Sequence, residues 1–232
     1  MPLLGTRGAA SARGFGFGAA STLNIGAAYG GGYFAGQIST TGNGVANFNL
    51  VIAPVSSGQN SSKQWKTSNT ATSGTQSTIN GPANSAAMNN ADHPAASFCE
   101  ALSIGGFSDW YMPARDELEV CYYNLKPTTT SNWTATNVGS NAYSVPARSG
   151  YYTSGTPAQT LATDFKTGGS QAFAANDYWS STEWEGNPAG AYYQSFNDGR
   201  QNGNAGKANA LYVRAVRPVS YTHLTLPTNR EV

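Results

Sequence analysis

The residues best suited to bind a ligand fall in one interval near the C-terminus, between Glu183 and Lys207. Aromatic, amide and guanidinium side chains mix there without the apolar periodicity that would require burial. Tyr and Trp supply contact area at low entropic cost, and Asn and Gln supply adaptable hydrogen bonds. The predicted ligand-binding residues are Trp184, Glu185, Asn187, Tyr193, Asn197, Asp198, Arg200, Gln201, Asn202 and Asn204.

Strand alternation divides the middle of this interval into two sets of side chains. Tyr192, Gln194 and Phe196 point one way, and Tyr193, Ser195 and Asn197 point the other way. Of the first set, we expect Tyr192 and Phe196 to face the core. The alternative is that the whole interval consists of ordinary polar loops on a rigid scaffold.

Metal binding and catalysis have little support in the sequence. The stretch 185–188, followed by Asn197 and Asp198, offers hard oxygen ligands, but it contains few carboxylates for a calcium site. No Ser/His/Asp arrangement and no phosphate-binding glycine loop followed by Lys is present. His93, before Pro94, is better explained as a residue that begins a helix. We therefore predict no catalytic residue, no metal and no cofactor.

The two cysteines, Cys99 and Cys121, are too few for a disulfide scaffold and lack a zinc-binding pattern. We expect two buried thiols. A single disulfide between adjacent helices is the alternative.

Charge and hydropathy exclude several classes of partner. The net charge is +1, and only 11% of residues are charged, so no basic field exists to hold nucleic acid. No run of eighteen apolar residues occurs, which predicts no membrane insertion. The start of the chain lacks the compact apolar core of a secretory signal.

Two helices are predicted from apolar spacing. The first lies within residues 84–104, with Asp92 as N-cap and Pro94 in the first turn. The second begins at Pro113 and ends before Pro127. Its apolar stripe consists of Leu118, Cys121, Tyr122 and Leu125.

The rest of the chain reads as strands and loops. Residues 29–53 suggest a β-hairpin or the start of a meander, and strands are predicted at 178–181, 191–196 and 211–216. Polar turns at 185–190 and 197–210 join the last three strands. The long turn-rich region 126–169 holds functional loops or decoration.

Three segments, GGFSDWYMPARDELEVCYYNL (105–125), YWSSTE (178–183) and YVRAVR (212–217), occur in an order and spacing that carry a family resemblance. They resemble the domain at the C-terminus of collagen-like bacterial adhesins and on phage tail fibres, including retroelement-diversified variable proteins. The segment YGGGYFAGQ (29–37) is similar to the start of phage-borne versions.

The resemblance implies an α+β protein with a C-type lectin-like fold: two short helices, a small twisted antiparallel sheet and long loops. Within the motifs, Trp110 and Met112 are expected to anchor their loop in the core. Alternation in YWSSTE would bury one aromatic ring and leave hydroxyls to tie neighbouring loops. In YVRAVR, Val213 and Ala215 share one face of the strand, while Arg214 and Val216 share the other.

Three regions follow from these patterns. Residues 1–28 are a Gly/Ala-rich attachment segment or a floppy terminus, and residues 29–218 are the ligand-binding domain. Residues 219–232 begin with VSYTHLTLPT, which reverse-translates to a transposase end sequence used in sequencing libraries. We therefore interpret 219–232 as a non-native tail encoded by adapter read-through.

The resemblance implies a phage tail fibre or surface adhesin module on a virion or a bacterial cell surface. Its expected partners are a host-surface glycan or protein, bound through the loop face between Glu183 and Lys207, and tail or fibre proteins, bound through the N-terminal segment. A homo-oligomer is expected, because avidity strengthens weak single sites. The alternative is a structural or decorating virion protein of the same fold without a host ligand.

Overall fold

The computed structural model of the chain describes residues 23–136 and 138–221. Within them lie four α-helices and ten strands. The helices are α1 (Val55–Gly58), α2 (Gly81–Ala87), α3 (Pro94–Glu100) and α4 (Arg115–Leu125). The strands are β1 (Ala28–Tyr29), β2 (Gly32–Ile38), β3 (Phe48–Ile52), β4 (Gln59–Gln64), β5 (Ser144–Val145), β6 (Asp177–Glu183), β7 (Gly190–Ser195), β8 (Gln201–Gly206), β9 (Ala210–Arg214) and β10 (Val216–Ser220).

The first sheet joins the two ends of the described chain. Its order is β1-β2-β3-β10, and β5 pairs with β2. The predicted hairpin is present, because β2 and β3 are antiparallel with Ile38 opposite Phe48. Strand β10 then adds to the free side of β3, placing Val216 opposite Ile52.

The second sheet carries the predicted ligand-binding interval. Its order is β4-β9-β6-β7-β8, so β8 is an edge strand. The sequence reading missed β8 and assigned residues 197–210 to a polar turn. The error has a clear cause, since the strand sequence QNGNAG contains none of the β-branched or aromatic residues that identify strands.

Two of the four helices correspond to the prediction of two short helices. Helix α4 begins two residues after Pro113 and buries the whole predicted stripe. The first candidate, 84–104, was wrong in extent: residues 88–93 separate α2 from α3, and the N-cap of α3 is His93 rather than Asp92. Proline at the first helical position sets this start, because its ring cannot follow a preceding helical turn.

The apolar interior divides into two clusters on opposite sides of the strands. One cluster surrounds α4 and includes Leu118, Tyr122 and Phe196. The other includes Trp65, Trp110 and Met112, which confirms the predicted anchoring of the loop before α4. Fully burying a side chain of this size contributes about 1.5–3 kcal/mol, so both clusters stabilise the fold strongly.

The motif YWSSTE joins the two clusters. Alternation was expected to bury one aromatic ring, but both rings are buried: Tyr178 in the α4 cluster and Trp179 in the other. Strand β6 is covered on both faces. Successive side chains therefore enter the two apolar clusters in turn, and neither aromatic ring faces solvent. The hydroxyls tie neighbouring segments as predicted, since Ser180 Oγ donates to Tyr192 O and Thr182 Oγ1 donates to Ser77 O.

The motif YVRAVR crosses from one sheet to the other. Strand β9 ends at Arg214 in the second sheet, and β10 begins at Val216 in the first. Val213 and Ala215 lie in one apolar cluster and Val216 in the other, as predicted. Arg214 is buried on the same side as Val216, where its guanidinium carbon lies 4.6 Å from the centre of the Phe173 ring.

Both predicted terminal segments extend outside the described residues. Of residues 1–28, only 23–28 are described, and there Gly26 N–H donates to Phe34 O at 2.8 Å. Of residues 219–232, only 219–221 are described. Val219 and Ser220 complete β10, and Tyr221 N–H donates to Asn47 O at 2.8 Å. The attachment role and the adapter origin of these segments stay predictions.

The mixed α+β class is confirmed, while the finer lectin-like assignment stays a prediction. Both cysteines are free and buried, which confirms the expectation of two thiols over that of a disulfide. Among the helices that the structure describes, none is long and apolar enough to cross a membrane.

Candidate ligand-binding face

The two ends of the predicted face are buried, which corrects their assignment to the surface. The Glu183 and Lys207 side chains are 4% and 0% exposed and form an ion pair. Thr72 N–H also donates to Glu183 Oε2 at 2.6 Å, and Lys207 Nζ donates to Thr70 O at 2.9 Å. Both charges are satisfied inside the protein, as a buried ion pair requires.

Lys207 also contacts an aromatic ring, because its Nζ lies 4.3 Å from the centre of the Trp65 ring. Burial lowers the pKa of Lys207, and the contact with Glu183 opposes that shift. The pair joins the end of β6, at Glu183, to the residue that follows β8, Lys207. The surface available for binding therefore begins after Glu183 and ends before Lys207.

Between these ends, the register of β7 and β8 determines which side chains share a face. The strands are antiparallel, with Tyr193 opposite Asn202 and Gln194 opposite Gln201. Strand β8 holds one extra residue opposite Tyr192, which forms a bulge. The sheet therefore separates the predicted site into two faces that meet at the edge strand β8.

The first face, here called the Arg200 face, consists of Trp133, Tyr193, Asp198, Arg200 and Asn202. The guanidinium carbon of Arg200 lies 4.5 Å from the centre of the Trp133 ring, and Arg200 Nη2 lies 3.5 Å from Asp198 Oδ2. The positive charge of Arg200 also acts on the Tyr193 hydroxyl and lowers its pKa, against the larger upward shift that burial causes. The Arg200 side chain is nevertheless 43% exposed, so the cation remains accessible to solvent.

Backbone hydrogen bonds fix the Arg200 face to the scaffold. Trp133 N–H donates to Asp198 O at 2.6 Å, and Thr128 Oγ1 donates to Asn197 O at 2.9 Å. The Asp198 side chain accepts from Arg200 N–H at 3.1 Å. These hydrogen bonds join the loop after α4 to the turn between β7 and β8, so the face is formed in the free protein.

The second face, here called the Trp184 face, consists of Arg115, Trp184, Glu185, Tyr192 and Gln201. Glu185 accepts a hydrogen bond from the Tyr192 hydroxyl at 3.3 Å, and the Arg115 guanidinium lies 5.2 Å from the Tyr192 ring centre. Gln201 Nε2 donates to Arg115 O at 3.2 Å.

Glycine allows the Trp184 ring to lie directly on β8. A Cβ atom at Gly203 would lie 2.4 Å from Trp184 Cγ, which is closer than atoms can pack. The same ring is close to Gly186, in the loop that follows it. The Trp184 side chain is therefore held in place, and it is only half buried.

The remaining predicted residues lie between these faces or beyond them. Asn197 is exposed in the turn before β8, Asn204 is exposed within β8, and Asn187 is exposed in the loop before β7. Asn187 Oδ1 accepts from Ala189 N–H, and Asn202 Oδ1 accepts from Asn204 N–H, each at 3.0 Å. All ten predicted residues thus surround one strand pair, although the sheet prevents them from forming one surface.

The prediction for the strand directions was right, but the predicted depth of Tyr192 was wrong. Gln194 and Phe196 are buried on the α4 side of β7, as alternation requires. Tyr192 points to the same side but is only half buried, because that end of β7 meets Arg115 at the start of α4. Tyr193, expected in solvent, packs partly against the second apolar cluster.

Trp133 and Arg115 were missing from the sequence-based site. Trp133 lies 67 positions from Arg200 in the sequence, inside the long loop region, and is 46% exposed. An isolated tryptophan in a polar stretch does not by itself indicate a binding residue, since Trp65, in a similar stretch, is fully buried. Arg115 gave no signal, since a basic residue at a helix start is ordinary.

Two carboxyl groups near Arg200 offset its positive charge, so that the net charge of the face is small. Asp198 pairs with it directly, and Asp177 interacts with it at longer range. Burial raises the pKa of Asp177. No cluster of three or more metal-binding side chains occurs anywhere in residues 23–136 and 138–221.

Residues 57–217, more than half of the chain, match the model of the family described as the Lcl C-terminal domain. The match contains all three motifs on which the family resemblance was based, and it includes every predicted ligand-binding residue. No curated protein matches the sequence.

Proposed function

We propose, starting from the fact that the chain belongs to the Lcl C-terminal domain family, that it is the surface-binding module of a phage tail fibre or a bacterial adhesin. In this proposal the domain has the C-type lectin-like fold, and its Arg200 face binds a glycan or protein on the host surface. The Trp184 face extends the contact around the edge strand.

One observation carries the proposal: an exposed arginine lies on an exposed tryptophan, and the scaffold holds both. Trp and Arg are enriched among residues that dominate binding energy. Hydrogen bonds fix their positions before binding, since Trp133 N–H donates to Asp198 O and Arg200 N–H donates to Asp198 Oδ1. Pre-organisation of this kind reduces the entropy lost when a partner binds.

The charges of the Arg200 face favour a neutral, hydroxyl-rich ligand. One guanidinium stands beside two carboxyl groups, so the face offers donors and acceptors together. A polyanion would meet repulsion from Asp177 and Asp198. The Trp133 ring supplies an apolar surface next to these polar groups, a combination that fits one face of a sugar ring or a polar loop of a protein.

A binding role rather than an enzymatic role is proposed. The two thiols, Cys99 and Cys121, are fully buried, and burial strongly raises the pKa of both. A thiol held in its protonated form is a poor nucleophile. The Arg200 face contains neither of them.

We further propose that the module is displayed as a homo-oligomer on a virion or cell surface, attached to tail or fibre proteins through residues 1–28. A single exposed face of this size gives weak binding, and several copies on one fibre would convert it to useful avidity. A decorating protein of the same fold, without a host ligand, is the rival function.

The test is a binding screen of the full chain, multimerised on a fluorescent carrier, against a glycan array and a panel of bacterial cells, with and without calcium. The binding variant carries Tyr193→Ala, Arg200→Ala and Asn202→Ala. We expect the parent to bind at least one glycan or cell surface and the variant to lose that binding. Circular dichroism and urea unfolding establish that the variant is folded.

A matched control carries Val45→Ala and Leu161→Ala, two exposed apolar side chains (59% and 91% exposed) on other loops. It should bind as the parent does. If the multimerised parent binds no glycan and no cell, receptor recognition is wrong and the decorating role replaces it. Binding that survives the triple variant would place the site elsewhere.

A further inference from the structure

A cavity of about 420 Å³ lies beside the first sheet, and its lining shares no residue with either face described above. Its walls are mostly apolar and come from β2, β3, β10 and the segment that leads into α2. The lining side chains used below are Ile38, Phe48, Leu50, Ile79, Tyr111 and Glu117. Cavities of this volume are typical of small-molecule sites.

The cavity contains a carboxyl group that lacks a cationic partner. Three glutamates of the described chain are buried. Glu119 pairs with Arg148 and Glu183 pairs with Lys207, whereas Glu117 forms no ion pair with any described residue. Its neighbours donate only neutral hydrogen bonds: Tyr111 Oη to Oε1 at 2.9 Å and Ala114 N–H to Oε2 at 2.7 Å.

The local backbone is shaped to keep this carboxyl group in place. A Cβ atom at Gly81 would lie 2.3 Å from Glu117 Oε2 and 2.4 Å from a Tyr111 ring carbon. The absence of a side chain at Gly81 therefore lets the carboxyl group lie directly against the backbone. Glu117 is 3% exposed, and burial raises its pKa to about 8. A buried carboxylate in apolar surroundings is stabilised most by a cation.

We propose that this cavity binds a small primary amine with an apolar body, whose ammonium group pairs with Glu117 while its hydrocarbon part fills the space between Phe48, Leu50 and Ile79. The amine supplies the positive charge that Arg148 and Lys207 supply to the other two buried glutamates. This site is separate from the proposed host-binding face and does not depend on it.

The test compares two probes of nearly the same shape, 2-phenylethylamine and 2-phenylethanol, on the full chain. Affinities are measured by calorimetric titration and by saturation-transfer NMR at pH 8. We expect the amine to bind at least about tenfold more tightly than the alcohol, since a charged hydrogen bond replaces a neutral one. Glu117→Gln should remove that difference, so that the two probes bind the variant with the same affinity.

Two further variants separate cavity binding from other effects. Ile79→Trp places a large side chain at the half-exposed rim and should abolish binding of both probes. The triple variant of the Arg200 face should bind the amine as the parent does. The proposal is overturned if the parent binds neither probe, if the amine has no advantage, or if Glu117→Gln retains that advantage. Urea unfolding establishes that each variant is folded.

Discussion

Two ion pairs flank strands β7 and β8, one buried (Glu183 with Lys207) and one partly exposed (Asp198 with Arg200). Glu183 and Lys207 are almost completely buried, and backbone groups satisfy their remaining hydrogen bonds. Arg200 and Asp198 form a looser pair, and the arginine is 43% exposed. Lys207 and Arg200, only 7 positions apart in the sequence, therefore differ in exposure: the first is buried and the second is accessible to solvent.

The difference follows from the solvent around each pair. Removing one member of a buried pair leaves a charge without solvent or partner, which costs about 3–5 kcal/mol. An exposed pair contributes about 0–1 kcal/mol, because water replaces the lost partner. The same contrast makes Arg200 available to a ligand and Lys207 unavailable.

The largest expected effect comes from Lys207→Met. We predict that it lowers the free energy of unfolding by about 3–5 kcal/mol, because Glu183 remains buried without its cation. Urea unfolding measures the loss. The double variant Glu183→Gln, Lys207→Met should recover part of the stability, since it leaves no unpaired charge. Equal losses in the single and double variants would contradict the role of the ion pair.

Glu117 differs from Glu183, because it is buried without a cationic partner among the described residues. Its pKa is about 8 in the folded protein against 4.5 for the ordinary carboxyl, so the folded state holds the proton more tightly. Well below pH 4.5, Glu117 is protonated in both the folded and the unfolded state, so its ionisation does not lower the free energy of unfolding. Stability is then lost as the pH rises through the window from 4.5 to about 8, by up to roughly 1.4 kcal/mol per pH unit.

The variant Glu117→Gln tests this assignment. We predict that the stability difference between the variant and the parent shifts in favour of the variant as pH rises from 4.5 to 8. Urea unfolding at half-unit pH steps measures the shift. The other titrating groups are common to both proteins and cancel in the difference. Parallel pH profiles would show that Glu117 is not the group responsible.

The smallest effect on stability is expected on the Arg200 face. Trp133→Ala and Arg200→Ala should each change the free energy of unfolding by no more than about 1 kcal/mol, because nearly half of each residue is exposed to solvent. Urea unfolding beside Lys207→Met checks the contrast directly. A loss as large as that of Lys207→Met would show that this face supports the fold.

Apolar spacing and the family motifs predicted much of the fold. The stripe from Leu118 to Leu125 located α4, and the alternation around Phe196 gave the correct directions in β7. Strand β8 was missed because its six residues, QNGNAG, lack a strand composition. Its pairing with β7 defines it, and a contact of that kind cannot be seen in local sequence.

The candidate site was predicted as a stretch of sequence but not as a surface. The ten residues do surround one strand pair, yet neither the burial of Lys207 nor the partnership of Arg200 with Trp133 could be predicted. Both depend on residues distant in the chain: Thr70 for the first and the loop after α4 for the second. Long-range pairing decides whether a charged residue is buried or exposed.

The most direct test of the central claim is binding by the double variant Trp133→Ala, Arg200→Ala. The full chain, multimerised on a fluorescent carrier, is compared with this variant and with the Val45→Ala, Leu161→Ala control on the glycan array and bacterial cell panel. We predict that the double variant loses binding while remaining folded, and that the control binds as the parent does. Undiminished binding by the folded double variant would contradict the assignment of the Arg200 face as the recognition surface.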